Sequence, residues 1–91
     1  MQQWLLVFDS THHAIAAEYR LKEAALPAAA FQIIPTPRQI TASCGLSLLF
    51  TGSIEPREML RLLADHDVQW AGLYRKEEDG RTPWVRVEVE G

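Results

Sequence analysis

The sequence predicts an α+β fold: a ferredoxin-like split βαβ sandwich, of order βαββαβ, with an added C-terminal edge strand. Three observations lead there. Short apolar runs alternate with two stretches of helical spacing in the order β-α-β-β-α-β-β. The strongest apolar runs, Trp4 to Phe8 and Leu46 to Phe50, are the first and third strands, which are the central pair of that sandwich. The last run alternates apolar and charged residues, as a one-sided peripheral strand does. The rival arrangement is an open α/β sheet with another strand order.

Each element has its own warrant. "QWLLVFD", within Gln2 to Asp9, is a short apolar run closed by a turn residue and reads as a buried central strand. "STHHAIAAEYRLKEAA" changes to helical spacing, with Ala14, Ala17, Leu21, Ala24 and Ala25 on one side. That face is nearly all alanine, so the helix can lie close to the sheet. Ser10 or Thr11 suits the N-cap, because a hydroxyl oxygen can accept from a free N–H of the first turn. Pro27 stops the helix. "FQII" is the second strand and Pro35 ends it. "GLSLLFT" is the third, with Leu46, Leu48 and Phe50 on one face and Ser47, Leu49 and Thr51 on the other. A second helix begins near Pro56, since the first helical position does not need an N–H. Its expected buried stripe is Met59, Leu62, Leu63 and His66. "VQWAGLYR" is the fourth strand, Asp79-Gly80 a turn, and "WVRVEVE" the fifth, with Val85, Val87 and Val89 inward and Arg86, Glu88 and Glu90 outward.

The chain has 91 residues, 47% of them hydrophobic, which is enough for one globular domain over residues 1–91. A net charge of −3 argues against nucleic acid as a partner, because phosphate neutralisation needs a basic face. No apolar run approaches the roughly 20 residues that span a bilayer, so no membrane partner is expected. "MQQWLLVFDS" lacks a basic region and a small-residue cleavage site, so no signal peptide is expected. The single cysteine cannot form an internal disulfide, which makes the cytoplasm the simplest compartment. No cofactor is called for: there is no Walker loop, no G-x-G-x-x-G and no G-x-S-x-G.

The chemistry gathers around "PTPRQITASCG", Pro35 to Gly45, which lies between two apolar runs and holds Cys44. In the expected topology the end of the first strand lies beside the start of the third, and the loop after the second strand leaves by the same edge. Asp9 to His13, Arg38 and Cys44 should then converge. The N-terminus of the first helix favours negative charge there. In such surroundings a thiol pKa falls from about 8.5 into the range of roughly 3.5–7.5, leaving a nucleophilic thiolate. Gly45 leaves room beside the sulfur and is able to take a positive φ. His13 is nearer the apolar face than His12, which makes it the better base or hydrogen-bond partner for Cys44. The two prolines stiffen the segment and aim Arg38.

Plainer readings fit the same residues. Cys44 suits the role of a small buried hydrophobe. His12 and His13 suit a polar first turn, Arg38 a solvated loop, and Asp9 a helix cap. His66 reads as a structural histidine, "RKEEDGR" as a solvated hairpin tip, and Trp4, Trp70 and Trp84 as core or sheet-face residues.

"FDSTHHAIAAEYRLKEA" followed by "IIPTPRQITASCGLSLLF" resembles a family of small bacterial selenium/sulfur carrier-like proteins. Those proteins pair a Ser-Thr-His-His-Ala-type segment with a Pro-x-Pro-Arg loop ending in Ser-Cys-Gly. "GLYR" in the fourth strand fits as well, and the resemblance runs from about Trp4 to Arg75. It implies that Cys44 is the carrier thiol and that Ser10, Thr11, His12, His13, Arg38 and Ser43 share its neighbourhood. Two departures stand out. Gln39 occupies a position where an acidic residue is common, and the tail from Lys76 to Gly91 is longer than usual. The Cys-Pro-x-Pro motif of other small sulfur carriers is absent.

The leading expectation is therefore a carrier rather than a turnover enzyme. Cys44 holds sulfur or selenium as a persulfide or selenopersulfide, with His13, His12 and Arg38 assisting and Ser10, Thr11, Ser43 and Gly45 forming the binding surroundings. Sulfur or selenium donor and acceptor proteins are the expected partners. An exposed edge at the second or the added strand offers a surface for a homodimer. The alternative is a non-catalytic module that binds an anion or a metal at the N-terminus of the first helix. The metal version draws on His12, His13 and Cys44 as ligand types, without the spacing of an established metal motif.

Overall fold

The computed structural model of the chain describes residues 2–24, 31–40, 45–51, 55–77 and 83–88. Strand β1 spans Gln2–Val7, helix α1 Thr11–Glu23, β2 Phe31–Pro35, β3 Leu46–Thr51, α2 Pro56–Asp65, β4 Gly72–Glu77 and β5 Val85–Val87. Among the described residues these make two helices and one five-stranded sheet of order β2-β3-β1-β4-β5. Every strand pair is antiparallel, so the α+β class holds and a parallel-stranded α/β sheet does not fit. The strand order differs from the chain order, and its fifth strand distinguishes the sheet from a four-stranded ferredoxin-like one.

β1 is flanked on both sides, by β3 and by β4. Its side chains alternate between two cores because successive residues of a strand point to opposite faces. Leu6 and Phe8 join Phe31, Leu48, Phe50 and Leu73 beneath both helices. Ala14, Ala17 and Leu21 of α1 and Met59, Leu60 and Leu63 of α2 complete that core. The small side chains at 14 and 17, both fully buried, let α1 lie close to the sheet. Leu5 and Val7 face the other way. They form a second, smaller cluster with Ile40, against which Ile34, Leu49, Ala71, Tyr74 and Trp84 pack.

Most expected elements are present, with local differences. Ser10 is the N-cap of α1: its Oγ accepts from the His13 backbone N–H at 3.3 Å. Of the alanine face, Ala24 is exposed and Ala25 lies outside the described residues, as do Pro27, the Asp79-Gly80 turn, Val89 and Glu90. The stripe of α2 is corrected: Leu60 is buried in place of Leu62, which is only partly buried, and His66 is exposed. The reason is the helix end. His66 is the C-cap, Asp67 takes φ 56°, and the Val68 N–H reaches back to the Leu63 carbonyl at 2.9 Å. That closing turn carries His66 past the buried face and turns Val68 inward instead. Val68 therefore belongs to the helix end, and β4 starts at Gly72. Trp4, Trp70 and Trp84 are all partly buried against a core, as expected. On β5, Val87 packs on the main core, while Val85 is exposed.

The close seating of α1 yields a test. Ala17→Leu inserts three carbons where no space is open, so it should destabilise by about 1–3 kcal/mol in urea unfolding. Ile15→Ala, on the exposed side of the same helix, should change stability by less than about 0.5 kcal/mol. Equal effects would show that α1 does not depend on small residues against the sheet.

Candidate functional site

Strand register decides which chain ends meet. Val7, at the end of β1, is opposite Ser47 of β3, and Pro35, at the end of β2, is opposite Leu46. Asp9, the Ser10 cap and the first turn of α1 therefore lie at the same sheet edge as both ends of the segment from Thr36 to Gly45.

Thr11 and His12 are exposed on that first turn, and His13 is half-buried. The His12 and His13 rings are 6.0 Å apart and tilted by 56°. His13 Nδ1 is buried without a hydrogen-bond partner, which leaves an unsatisfied polar atom beside the helix start.

Thr36, between the two prolines, closes the base of the loop. Its N–H donates to the Gly45 carbonyl at 2.9 Å, and its hydroxyl is 2.6 Å from the hydroxyl of Ser47. Ser47 is the one buried polar residue of the described core, and Thr36 satisfies it. A turn follows, closed by the Ile40 N–H on the Pro37 carbonyl at 3.0 Å. Arg38 is exposed on that turn, with no hydrogen bond or ion pair to another described residue. Gln39 donates from its side-chain amide to the Trp84 carbonyl at 3.0 Å. Ile40, only 7% exposed, enters the cluster of Leu5 and Val7 on the helix-free face.

The candidate residues thus fall into two groups at one edge. Ser10, Thr11, His12 and His13 belong to α1, on one face of the sheet. The turn that carries Arg38 is anchored over the opposite face. No hydrogen bond, ion pair or ring contact joins Arg38 to His12 or His13. Cys44 and Ser43 lie outside the described residues. Gly45 is exposed, and its φ is outside the left-handed region; a Cβ there would meet nothing within 4 Å. The positive φ that glycine would allow at this position is not used, and an added Cβ has open space there. Among the described residues no cluster of three metal-ligating side chains occurs, and no helix is long and apolar enough to cross a membrane.

Sequence reasoning passed over Thr36, Ile40, Ser47 and the Gln39–Trp84 bond. Two signals were available. Ile40 is the one large aliphatic residue between Pro35 and Gly45, and Ser47 is the one polar residue in "LSLLF".

The fold and the edge define a small α+β protein in which a tied loop and a helix start share one end of an antiparallel sheet. The chain belongs to the family described as "Putative Se/S carrier protein-like", whose sequence model matches residues 3–75. No curated protein and no solved structure matches it.

The Gly45 geometry gives a second test. Gly45→Ala should leave the melting temperature unchanged or raise it, since alanine at a compatible backbone position adds about 0.4–1 kcal/mol. A loss of stability beyond that range would contradict the open surroundings of this residue.

Proposed function

We propose that the protein is a sulfur or selenium carrier in which Cys44 bears the cargo. The observation that carries this reading is the family match over residues 3–75, a span that includes the whole of Pro35 to Gly45. The strand order β2-β3-β1-β4, with β5 added at its margin, supports a ferredoxin-like split βαβ arrangement as the scaffold.

In loading, the Cys44 thiolate attacks the outer sulfur of a donor persulfide. A new sulfur–sulfur bond forms at Cys44, the donor's sulfur–sulfur bond breaks, and the donor leaves as its thiolate. Delivery is the same exchange with an acceptor thiolate, so no oxidant or reductant is consumed. Selenium in the outer position follows the same electron count. The positive end of the α1 dipole and the Arg38 guanidinium favour an anion at this edge. His13, with a ring nitrogen unpaired at the same edge, accepts the thiol proton, and His12 is the exposed second candidate. Donor and acceptor are thiol proteins, and the exchange suits the reducing cytoplasm.

The test is intact-protein mass spectrometry after incubation with a cysteine desulfurase and cysteine, beside Cys44→Ser. The expected result is a gain of one sulfur atom, reversed by dithiothreitol and absent from the variant. A parallel incubation with a selenium donor decides between the two cargoes. Loading that persists in Cys44→Ser would overturn the reading, as would a native Cys44 that neither loads nor reacts with iodoacetamide.

A further inference from the structure

The second core cluster has an unusual composition. β1 supplies its floor through Leu5 and Val7, which are 0% and 3% exposed. Among the described residues no helix lies on this face. Its cover comes from two distant pieces of chain: Ile40, from the loop after β2, and Trp84, from the segment that leads into β5. These two pieces are also joined directly, through the Gln39 amide and the Trp84 carbonyl at 3.0 Å, across 45 residues of sequence.

Trp84 is itself held. The register of β4 and β5 sets Val85 opposite Arg75, so Trp84 continues that ladder beside Lys76. The Lys76 ammonium lies 5.4 Å from the centre of the Trp84 ring, within cation–π range. The family match ends at residue 75. Lys76 and Trp84, which hold the loop, thus lie beyond it, whereas Gln39 and Ile40, which are held, lie within it. Cys44 follows Ile40 by four residues and directly precedes Gly45, whose carbonyl Thr36 ties down. Ile40 and Gly45, the described residues on either side of the cysteine, are thus both held, the first by packing that includes Trp84.

We propose that Gln39 and Trp84 are positioning residues for the Cys44 loop, with the C-terminal strand acting as a brace across the helix-free face of the sheet. The proposal rests on the carrier reading for its consequence, while the brace is measured independently of it. A loop fixed at both ends spends more of its time in one arrangement, and a thiol that must meet donor and acceptor in a defined geometry reacts in proportion to that fraction. Gln39 is suited to the role because an amide N–H can donate to a carbonyl. A carboxylate at 39 would face the Trp84 oxygen as a second acceptor.

Trp84→Ala is the direct variant, but it also uncovers Leu5 and Val7. The decisive variants are therefore Gln39→Met, which keeps the length and loses the donor, and Gln39→Glu, both at an exposed residue. Val85→Thr, at an exposed position of the same strand, is the control. Two quantities are read in the full chain: hydrogen exchange of the Ile40 amide, and the rate at which Cys44 is loaded by a desulfurase persulfide and alkylated by iodoacetamide across neutral to alkaline pH.

Both Gln39 variants should speed Ile40 exchange and slow loading by about two- to tenfold, the span given by one hydrogen bond of ordinary net strength. Val85→Thr should match the wild type. The proposal is overturned if Gln39→Met leaves exchange and loading unchanged, if only Gln39→Glu has an effect, or if exchange rises while loading and the alkylation profile stay fixed. A wild-type protein whose Cys44 neither loads nor reacts with iodoacetamide would sink the carrier reading instead. Ile40 exchange would still decide the brace.

Discussion

The structure depends on β1 being apolar on both faces while the helices cover only one. A central strand with Leu6 and Phe8 on one side and Leu5 and Val7 on the other requires two covers. At about 25 cal/mol per Å² of apolar surface, leaving either side to water costs several kcal/mol, a large share of what holds so small a domain together. Two helices supply the first cover. The second is assembled around Ile40 and Trp84, which are far apart in the chain, with β3, α2 and β4 between them. The loop after β2 is thus drawn over the sheet because a strand in the middle of that sheet needs it there.

That requirement explains several local features together. Thr36 must turn the chain out of β2 at the sheet edge, and it does so while satisfying the buried Ser47 hydroxyl and closing the loop base on Gly45. The flanking prolines suit this place. β2 is an edge strand, where a missing N–H is tolerated, and Pro37 opens the turn that delivers Ile40. Arg38 is left on the outside of that turn as a consequence of burying Ile40 two positions later. Its exposure follows from packing, and packing therefore leaves its charge available at the edge.

The regular elements were legible because their signals are local. A period of two in "LSLLF" and a spacing of three and four across Ala14, Ala17 and Leu21 need no knowledge of the rest of the chain. The end of α2 was misread at His66 because the closing turn uses Asp67 in a left-handed conformation that glycine usually takes. The second core could not be read from periodicity, since one isoleucine in a polar loop has no period. Gln39 and the C-terminal tail stood out in the sequence as two separate departures from the family pattern. In the structure Gln39 and Trp84 of that tail are the two ends of one hydrogen bond, a pairing that no local sequence signal reveals.

The same register separates two tasks at one edge. The start of α1 brings cap, dipole and imidazoles from the helix side, groups suited to an anion or a proton. The loop base brings Thr36, Gln39 and Ile40 from the other side, and their contacts are to sheet and tail. For a carrier thiol such a division has a physical advantage. On the proposed reading, Thr36, Gln39 and Ile40 contact sheet and tail, so cargo on Cys44 would leave those contacts in place. No hydrogen bond, ion pair or ring contact joins Arg38 to His12 or His13, so on the proposed carrier reading these imidazoles answer to a charge that comes and goes with each transfer without holding that turn. A fold that anchored the loop through the same groups that stabilise the anion would loosen its own scaffold at every delivery.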